Sequence, residues 1–147
     1  MGPHSGGAGG VSANVPRVGC GAAIVKDGRI LLVLRRKAPE AGCWNLPGGK
    51  VDLFEPIEDA VRREIREELG VKIELGRMLH LTQMIGADGQ HWVSPVYLAR
   101  ILSGEPENRE PAKHASVDWF ACDNPPTPLA QAAREAIAAF AVNSSDS

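Results

Sequence analysis

The sequence predicts one mixed domain of the α/β (α+β) class, and three observations carry that prediction. Short apolar segments separated by turn residues alternate with two stretches of helical character. At 147 residues the chain has the size of a single domain. Its hydrophobic content of 44% and charged content of 23% are ordinary for a globular protein.

The predicted elements follow one another in a clear order. "VGCGAAIV" (18–25) and "RILLVLRR" (29–36) are two strands that "KDG", an Asp-Gly turn, joins into a hairpin. A loop rich in Pro and Gly precedes a helix that begins at Pro56 and ends before Gly70. Further predicted elements are one long or two short strands in 71–86, a strand in 91–101, a short strand in 116–122 and an Ala-rich helix from about Pro128.

Composition also limits the partners and the location that we expect. The domain should span 17–141, between a disordered Gly- and Ser-rich tail (1–16) and a frayed tail (142–147). The net charge of −2 gives no signal for duplex nucleic acid. No apolar run approaches the roughly 20 residues of a membrane span, and the start lacks the apolar core of a signal peptide. We expect a cytoplasmic protein, and a homodimer stays open.

Three glutamates occupy unusual positions on the first helix. At about 100° per residue, one apolar arc contains Ile57, Ala60, Val61, Ile65 and Leu69. Glu64 and Glu68 fall inside this arc, and Glu67 lies at its edge. A solvated charged face would instead lie opposite the apolar residues. The helix therefore carries carboxylates towards the core.

Buried carboxylates need a partner. Without one, burial costs several kcal/mol or raises the pKa, and like charges one turn apart repel each other. A divalent cation would remove both problems, and clustered oxygen ligands favour magnesium or manganese over zinc. A structural cluster, in which Arg62, Arg63 and Arg66 bridge the glutamates, remains the alternative.

The spacing around these glutamates resembles a known motif. From Gly49 through Glu55 to "REIREELGV" (63–71), every defined position is similar to the Nudix box, G-x5-E-x7-R-E-U-x-E-E-x-G-U, where U is a bulky aliphatic residue. "LLVLRR", "CWNLPGG" and "EPAKHASVDWF" look like flanking segments of MutT-like Nudix hydrolases. The resemblance covers most of 18–140.

The resemblance implies a fold and residue roles. It implies an α/β/α sandwich with a mixed sheet, in which the box forms a loop, a helix and a loop. Glu64, Glu67 and Glu68 match the metal-binding glutamates, and the Glu64 position is the general base in some members. The carbonyl that matches Gly48 commonly joins the metal, which is Mg²⁺ or its substitute Mn²⁺. Arg63 and Glu55 match the pair that supports the catalytic carboxylates.

The resemblance also implies a reaction. Family members hydrolyse a nucleoside diphosphate linked to another moiety, and we expect first a magnesium-dependent (d)NTP pyrophosphohydrolase that releases a nucleoside monophosphate and pyrophosphate. Hydrolysis of ADP-ribose, another nucleotide sugar or a dinucleotide is the alternative, although the proline that follows the box in ADP-ribose enzymes is absent here. A non-catalytic nucleotide-binding module is a further class, but such proteins usually lose box glutamates.

Further candidate residues lie outside the box. Glu110 resembles the additional acidic metal ligand of MutT-like enzymes, with Glu107 as second choice; a solvated loop acid is the alternative. Trp44 could stack on a base or cover the core. Arg35 could meet a phosphate, and His91 could contact the substrate or simply edge a strand.

Overall fold

The computed structural model of the chain describes residues 15–145, with side chains described as far as residue 142. Residues 1–14 and 146–147, which hold most of the predicted disordered tail and the end of the predicted frayed one, lie outside the described part. The elements are β1 (Arg17–Lys26), β2 (Arg29–Arg35), β3 (Trp44–Asn45), β4 (Gly48–Lys50), α1 (Ile57–Leu69), β5 (Lys72–Ile85), β6 (His91–Ser103), β7 (His114–Ala121) and α2 (Gln131–Ser145).

The strands form one mixed sheet in the order β3-β2-β1-β6-β5, with β4 beside β1 and β7 beside β2. Among the paired strands of the described residues, β1 and β6 run parallel and the other pairs are antiparallel. β1 pairs with β2 just at their hairpin, at Val25 and Lys26. Further back, Gly19–Gly21 of β1 pairs with β4 instead. The short strand β4 therefore lies at the point where β1 and β2 separate.

A helix covers each face of the sheet. On one face, Val61, Ile65 and Leu69 of α1 belong to a buried apolar cluster that includes alternate residues of β1 (Cys20, Ala22 and Ile24). On the other face, Ala133 and Ala136 of α2 pack with Ala23, Ile30, Leu32, Leu46 and Val96. This arrangement is the predicted α/β/α sandwich. No helix in the described part of the chain is long and apolar enough to cross a membrane.

Most predicted elements are present, with shifted ends. The first hairpin is confirmed, and Gly70 closes α1 in the left-handed conformation (φ 73°). The stretch after it is one long strand, β5, interrupted by register shifts between Leu75 and His80. α2 begins at Gln131, after the prolines rather than at Pro128. It continues to Ser145, so that the backbone beyond 141 is helical as far as it is described. The loop before the box contains the unpredicted strands β3 and β4.

Candidate active site

Helix α1 carries its glutamates where its periodicity predicts them. Glu64 is 7% exposed and Glu68 only 2%, among the apolar residues that hold α1 on the sheet. The side chain of Glu67 is 49% exposed, at the edge of the packed face. The predicted burial of Glu64 and Glu68 is therefore confirmed.

The short strand β4 crosses directly over these carboxylates. The backbone N–H of Gly48 donates to Glu68 Oε1 at 3.0 Å. A Cβ on Gly49 would collide with the Glu64 carboxylate and would lie 2.6 Å from its Oε1. A Cβ on Gly48 would overlap the carbonyl oxygen of Cys20. Gly49 therefore allows β4 to lie against the acidic face of α1, and Gly48 allows it to lie against the backbone of β1.

Arg63 organises the exposed side of the same cluster. Its guanidinium forms a bidentate pair with Glu55, at 2.8 Å from Nε to Oε2 and 2.9 Å from Nη2 to Oε1. Nη1 reaches Glu64 Oε2 at 3.3 Å and Glu67 Oε1 at 3.2 Å, and Nη2 donates to the carbonyl of Lys50 at 3.0 Å. The hydrogen bond from Arg63 lowers the pKa of Glu55 to about 2. Arg63 thus joins the box loop to two box glutamates.

Part of the alternative salt-bridged cluster is therefore present. Arg63 contacts Glu55, Glu64 and Glu67, as a structural role would require. Arg62, in contrast, pairs on the surface with acids of the first turn, Glu58 and Asp59. Glu68 has no ion pair among the described contacts that would balance its burial.

Burial makes the charged forms of the two inner carboxylates, Glu64 and Glu68, unfavourable. Burial raises the pKa of Glu68 to about 8, against the hydrogen bond from Gly48. Burial also raises the pKa of Glu64. In the described structure, Glu64 Oε1 is buried without a hydrogen-bond partner. An unpaired buried oxygen beside a second buried carboxylate is a site that a cation would stabilise.

The loop before β7 brings a further acid to this place. The N–H of Glu107 donates to the carbonyl of Leu69, and that of Arg109 to the carbonyl of Glu68, each at 3.0 Å. Glu110 follows, with Oε1 buried, and its charge contributes to the raised pKa of Glu68. Glu107 instead pairs with Arg109 and is 63% exposed. Of the two acids considered, Glu110 is the one that the fold directs towards the box.

The carboxylates of Glu64, Glu67, Glu68 and Glu110 are ligands that suit an oxygen-preferring divalent cation. They are not gathered as closely as they would be around a bound ion. Within the described part of the chain, no three His, Cys, Asp or Glu side chains stand together as they would to hold a metal ion. Arg63 Nη1 engages Glu64 and Glu67 at their outer oxygens. The buried Oε1 atom of Glu64 has no hydrogen-bond partner, the buried Oε1 atom of Glu110 faces Lys113 Nζ at 3.4 Å, and carboxylate oxygens suit Mg²⁺ or Mn²⁺.

A cavity of about 360 Å³ lies on the other side of β4. Its lining includes Arg17, Arg35, Asn45, Lys50, Thr82, Trp92 and Gln131. The Arg17 guanidinium lies 5.5 Å from the Trp92 ring centre, a cation–π distance. The indole N–H of Trp92 donates to Gln90 at 2.8 Å. Aromatic, amide and cationic groups thus converge beside the carboxylate cluster, as in sites for polar small molecules.

Comparison with known proteins matches this arrangement to a family. The model of the NUDIX domain matches residues 15–140, most of the chain. The chain belongs to the Nudix family. The crystal structure of a MutT NUDIX hydrolase from Burkholderia pseudomallei is 58% identical, with a TM-score of 0.82, over 85% of this chain and 98% of that one. The Nudix fold expected from the sequence is therefore confirmed.

Curated relatives carry different activities in their names. The ADP-ribose pyrophosphatase of Methanocaldococcus jannaschii is 36% identical over 76% of this chain and 65% of its own length. A putative 8-oxo-dGTP diphosphatase of Mycobacterium tuberculosis is 34% identical over 69% of this chain and 78% of its own length. The chain spans only 30% of the human 8-oxo-dGDP phosphatase, which is 32% identical. The relatives therefore agree on the Nudix family and differ in substrate.

The three candidate substrate residues, Arg35, Trp44 and His91, lie in different parts of the structure. Arg35 lines the cavity, where Nε donates to the carbonyl of Pro39 at 2.7 Å. Trp44 does not line it: its ring meets Phe120 edge-on, with centroids 4.7 Å apart, in the α2-side core. β3 docks beside the start of α2 and directs the indole into that core, which is the second of the two roles that the sequence left open for Trp44; stacking on a base stays a prediction.

His91 also lies away from the cavity. Trp92 and Ser94 line it, and side chains alternate along a strand, so His91 lies on the opposite face of β6, paired with Ile85. The substrate contact expected at His91 stays a prediction, and the neighbouring Trp92 is the residue of this pair that lines the cavity. Sequence reasoning also missed Asn45 and Gln131, which meet at the cavity only because α2 packs beside β3. No local pattern marks either residue.

Proposed function

We propose that this Nudix protein is a magnesium-dependent pyrophosphohydrolase that converts nucleoside triphosphates, (d)NTPs, into nucleoside monophosphates and pyrophosphate. The observation that carries the proposal is the pair of buried carboxylates, Glu64 and Glu68, beneath Gly48 and Gly49 and beside a polar cavity. Burial of these two acids costs stability, and a bound cation together with an anionic substrate would offset that cost.

Glu64, Glu67, Glu68 and Glu110, with the carbonyl of Gly48, are the groups that would hold the metal. When bound, Mg²⁺ would neutralise phosphate charge and acidify a water molecule. To bind the metal, Glu64 and Glu67 would rotate away from Arg63 Nη1 the oxygens that now contact it. The bidentate pair with Glu55 would keep Arg63 in place. A buried carboxylate with a raised pKa, such as Glu64, is suited to accept the proton of the attacking water.

The cavity would bind the nucleoside end of the substrate. Trp92 offers a ring face for a base, while Asn45 and Gln131 offer amide groups for hydrogen bonds to its edge. Arg35 and Lys50 would draw the phosphates towards the mouth, as the sequence suggested for Arg35. The names of the mycobacterial relative and of a zebrafish oxidized purine nucleoside triphosphate hydrolase, 34% identical over 105 residues, support this substrate class.

ADP-ribose is the second candidate, because the archaeal relative that carries this substrate in its name is 36% identical. A substrate panel separates the two. Normal and 8-oxo (d)NTPs, nucleoside diphosphates, ADP-ribose, dinucleoside polyphosphates and NADH are each incubated with magnesium or EDTA, and products are resolved by chromatography. Pyrophosphate released from a triphosphate supports the first candidate; preferred turnover of ADP-ribose supports the second.

Matched variants test the site within this panel. Glu67→Gln changes an exposed box glutamate and should lower kcat by about 10²-fold or more, as loss of a metal-positioning carboxylate does. Glu58→Gln, an exposed first-turn acid on the same helix, serves as control and should keep wild-type activity. Absence of turnover of every compound by a folded protein, or full activity of Glu67→Gln, would refute the proposal.

A further inference from the structure

The segment before β7 fixes a lysine beside the acidic cluster. Its backbone is tied to α1 by the bond from the Arg109 N–H to the Glu68 carbonyl, at 3.0 Å. On the other side, Arg36, which directly follows β2, holds the segment: its backbone N–H donates to the carbonyl of Lys113 at 2.9 Å, and its Nε donates to the carbonyl of Pro111 at 2.7 Å. Lys113 therefore has a defined position between the end of β2 and the carboxylates of α1.

The ammonium of Lys113 lies among the candidate metal ligands. Nζ is 3.4 Å from Glu110 Oε1, one of the two buried carboxylate oxygens of the cluster that lack a hydrogen-bond partner. Its charge opposes the burial-driven rise in the pKa of both Glu64 and Glu68. Burial alone would lower the pKa of Lys113, yet the carboxylates of Glu110, Glu68 and Glu64 together raise it. The contact that places Lys113 at the cluster is its ion pair with Glu110.

The two cations of the cluster, Arg63 and Lys113, pair with different carboxylates. The charge of Arg63 is largely compensated by Glu55, with which it forms the bidentate pair. The side chain of Lys113 is 53% exposed. Within the described part of the chain, it forms an ion pair with Glu110 alone. The four carboxylates of Glu64, Glu67, Glu68 and Glu110 carry a formal charge of −4, which Lys113 reduces to −3. One divalent ion then leaves a formal charge of −1, whereas without Lys113 it would leave −2.

We infer that Lys113 is a built-in cation of the Nudix site, whose ammonium supplies beside Glu110 one positive charge that a bound metal ion would otherwise have to supply. This inference rests on the proposed function in one respect, namely that the four glutamates bind metal. Lys113 is a positioning residue in this role: it holds Glu110 towards the box and limits how many divalent ions, and how tightly, the site takes up before the substrate arrives.

Metal binding without nucleotide tests the inference. Full-length wild type, Lys113→Met, Lys113→Arg and the control Lys26→Met are titrated with Mg²⁺ and with Mn²⁺ by calorimetry, and circular dichroism verifies the fold of each. Lys26 is exposed at the first hairpin, away from the box. Lys113→Met should bind one additional ion, or bind the first about tenfold more tightly, because a repelling charge has gone. Lys113→Arg and Lys26→Met should match wild type.

The possible outcomes are distinct. Equal stoichiometry and affinity in Lys113→Met and wild type, or weaker binding by Lys113→Met, would overturn the inference and leave the proposed function standing. A wild-type protein that binds neither ion would overturn the metal site and the inference with it. Tight metal binding without turnover of any panel compound would refute the proposed hydrolase activity, while the comparison of Lys113 variants would still decide the inference.

Discussion

Glu68 is the most deeply buried carboxylate of the site, and its replacement by glutamine should stabilise the metal-free protein while abolishing activity. Only 2% of the residue is exposed, and Oε1 accepts the N–H of Gly48. The amide oxygen of glutamine can accept the same hydrogen bond without a charge. Glu68→Gln therefore removes the cost of burying a carboxylate but also removes a proposed metal ligand.

The size of the effect follows from the raised pKa. Burial raises the pKa of Glu68 from 4.5 to about 8, with Glu64 and Glu110 adding to the rise and Lys113 opposing it. Between these values the unfolded chain has released the proton that the folded protein keeps, so stability falls as pH increases, by about 1.4 kcal/mol per pH unit. At pH 7 the cost is about 3 kcal/mol, which corresponds to a Tm difference on the order of 10 °C.

Urea unfolding in EDTA, at intervals from pH 5 to pH 8, measures this difference. Wild type should lose stability as pH rises, and Glu68→Gln should be more stable at pH 7 and show a flatter pH dependence. Glu67→Gln, with its exposed side chain, is the matched control and should follow wild type. Adding Mg²⁺ should stabilise wild type and leave Glu68→Gln nearly unchanged. Equal stability of wild type and Glu68→Gln in EDTA at pH 7 would refute the reasoning.

Four further substitutions test the surrounding geometry. Gly49→Ala places a methyl group against the Glu64 carboxylate and should lower kcat at least about tenfold in a folded protein; near-normal kinetics would contradict the close packing. Trp44→Ala should lower the free energy of unfolding by about 3 kcal/mol, whereas Trp92→Ala should mainly raise KM. The reverse pattern would contradict the placement of Trp44 in the core and of Trp92 at the cavity. Gly70→Ala forces a side chain into the left-handed conformation and should cost about 1 kcal/mol in urea unfolding; an unchanged midpoint would argue against this cap.

The sequence predicted those features that depend on local geometry. The helical period alone placed Glu64 and Glu68 among apolar residues, because neighbours three and four apart share a face whatever the helix packs against. The Asp-Gly turn likewise determined the first hairpin. Residues of the cavity depend instead on strand register and on the docking of α2. His91 and Trp92 are adjacent in sequence, yet strand alternation places only Trp92 at the cavity.

The loop before β7 shows the same limit. Glu110 was predicted from a resemblance to a family segment, and no periodicity in the loop distinguishes it from Glu107. What distinguishes them is the attachment of the loop to the end of α1 through the carbonyls of Leu69 and Glu68, which directs Glu110 inwards and leaves Glu107 in solvent. Lys113 gave no signal in the sequence, because its significance arises from those tertiary contacts.

The strand Gly48–Lys50 explains how the two halves of the site can act on one molecule. One side of it faces Glu64 and Glu68, and its other side borders the cavity with Arg35 and Trp92. Because glycine presents no side chain, only the thickness of a backbone separates the two sides. A ligand that carries an aromatic base at one end and its charge at the other would match this division, with the base beside Trp92 and the phosphates over Gly49. The asymmetry favours a nucleotide over an anion alone, since inorganic pyrophosphate would leave the cavity unfilled.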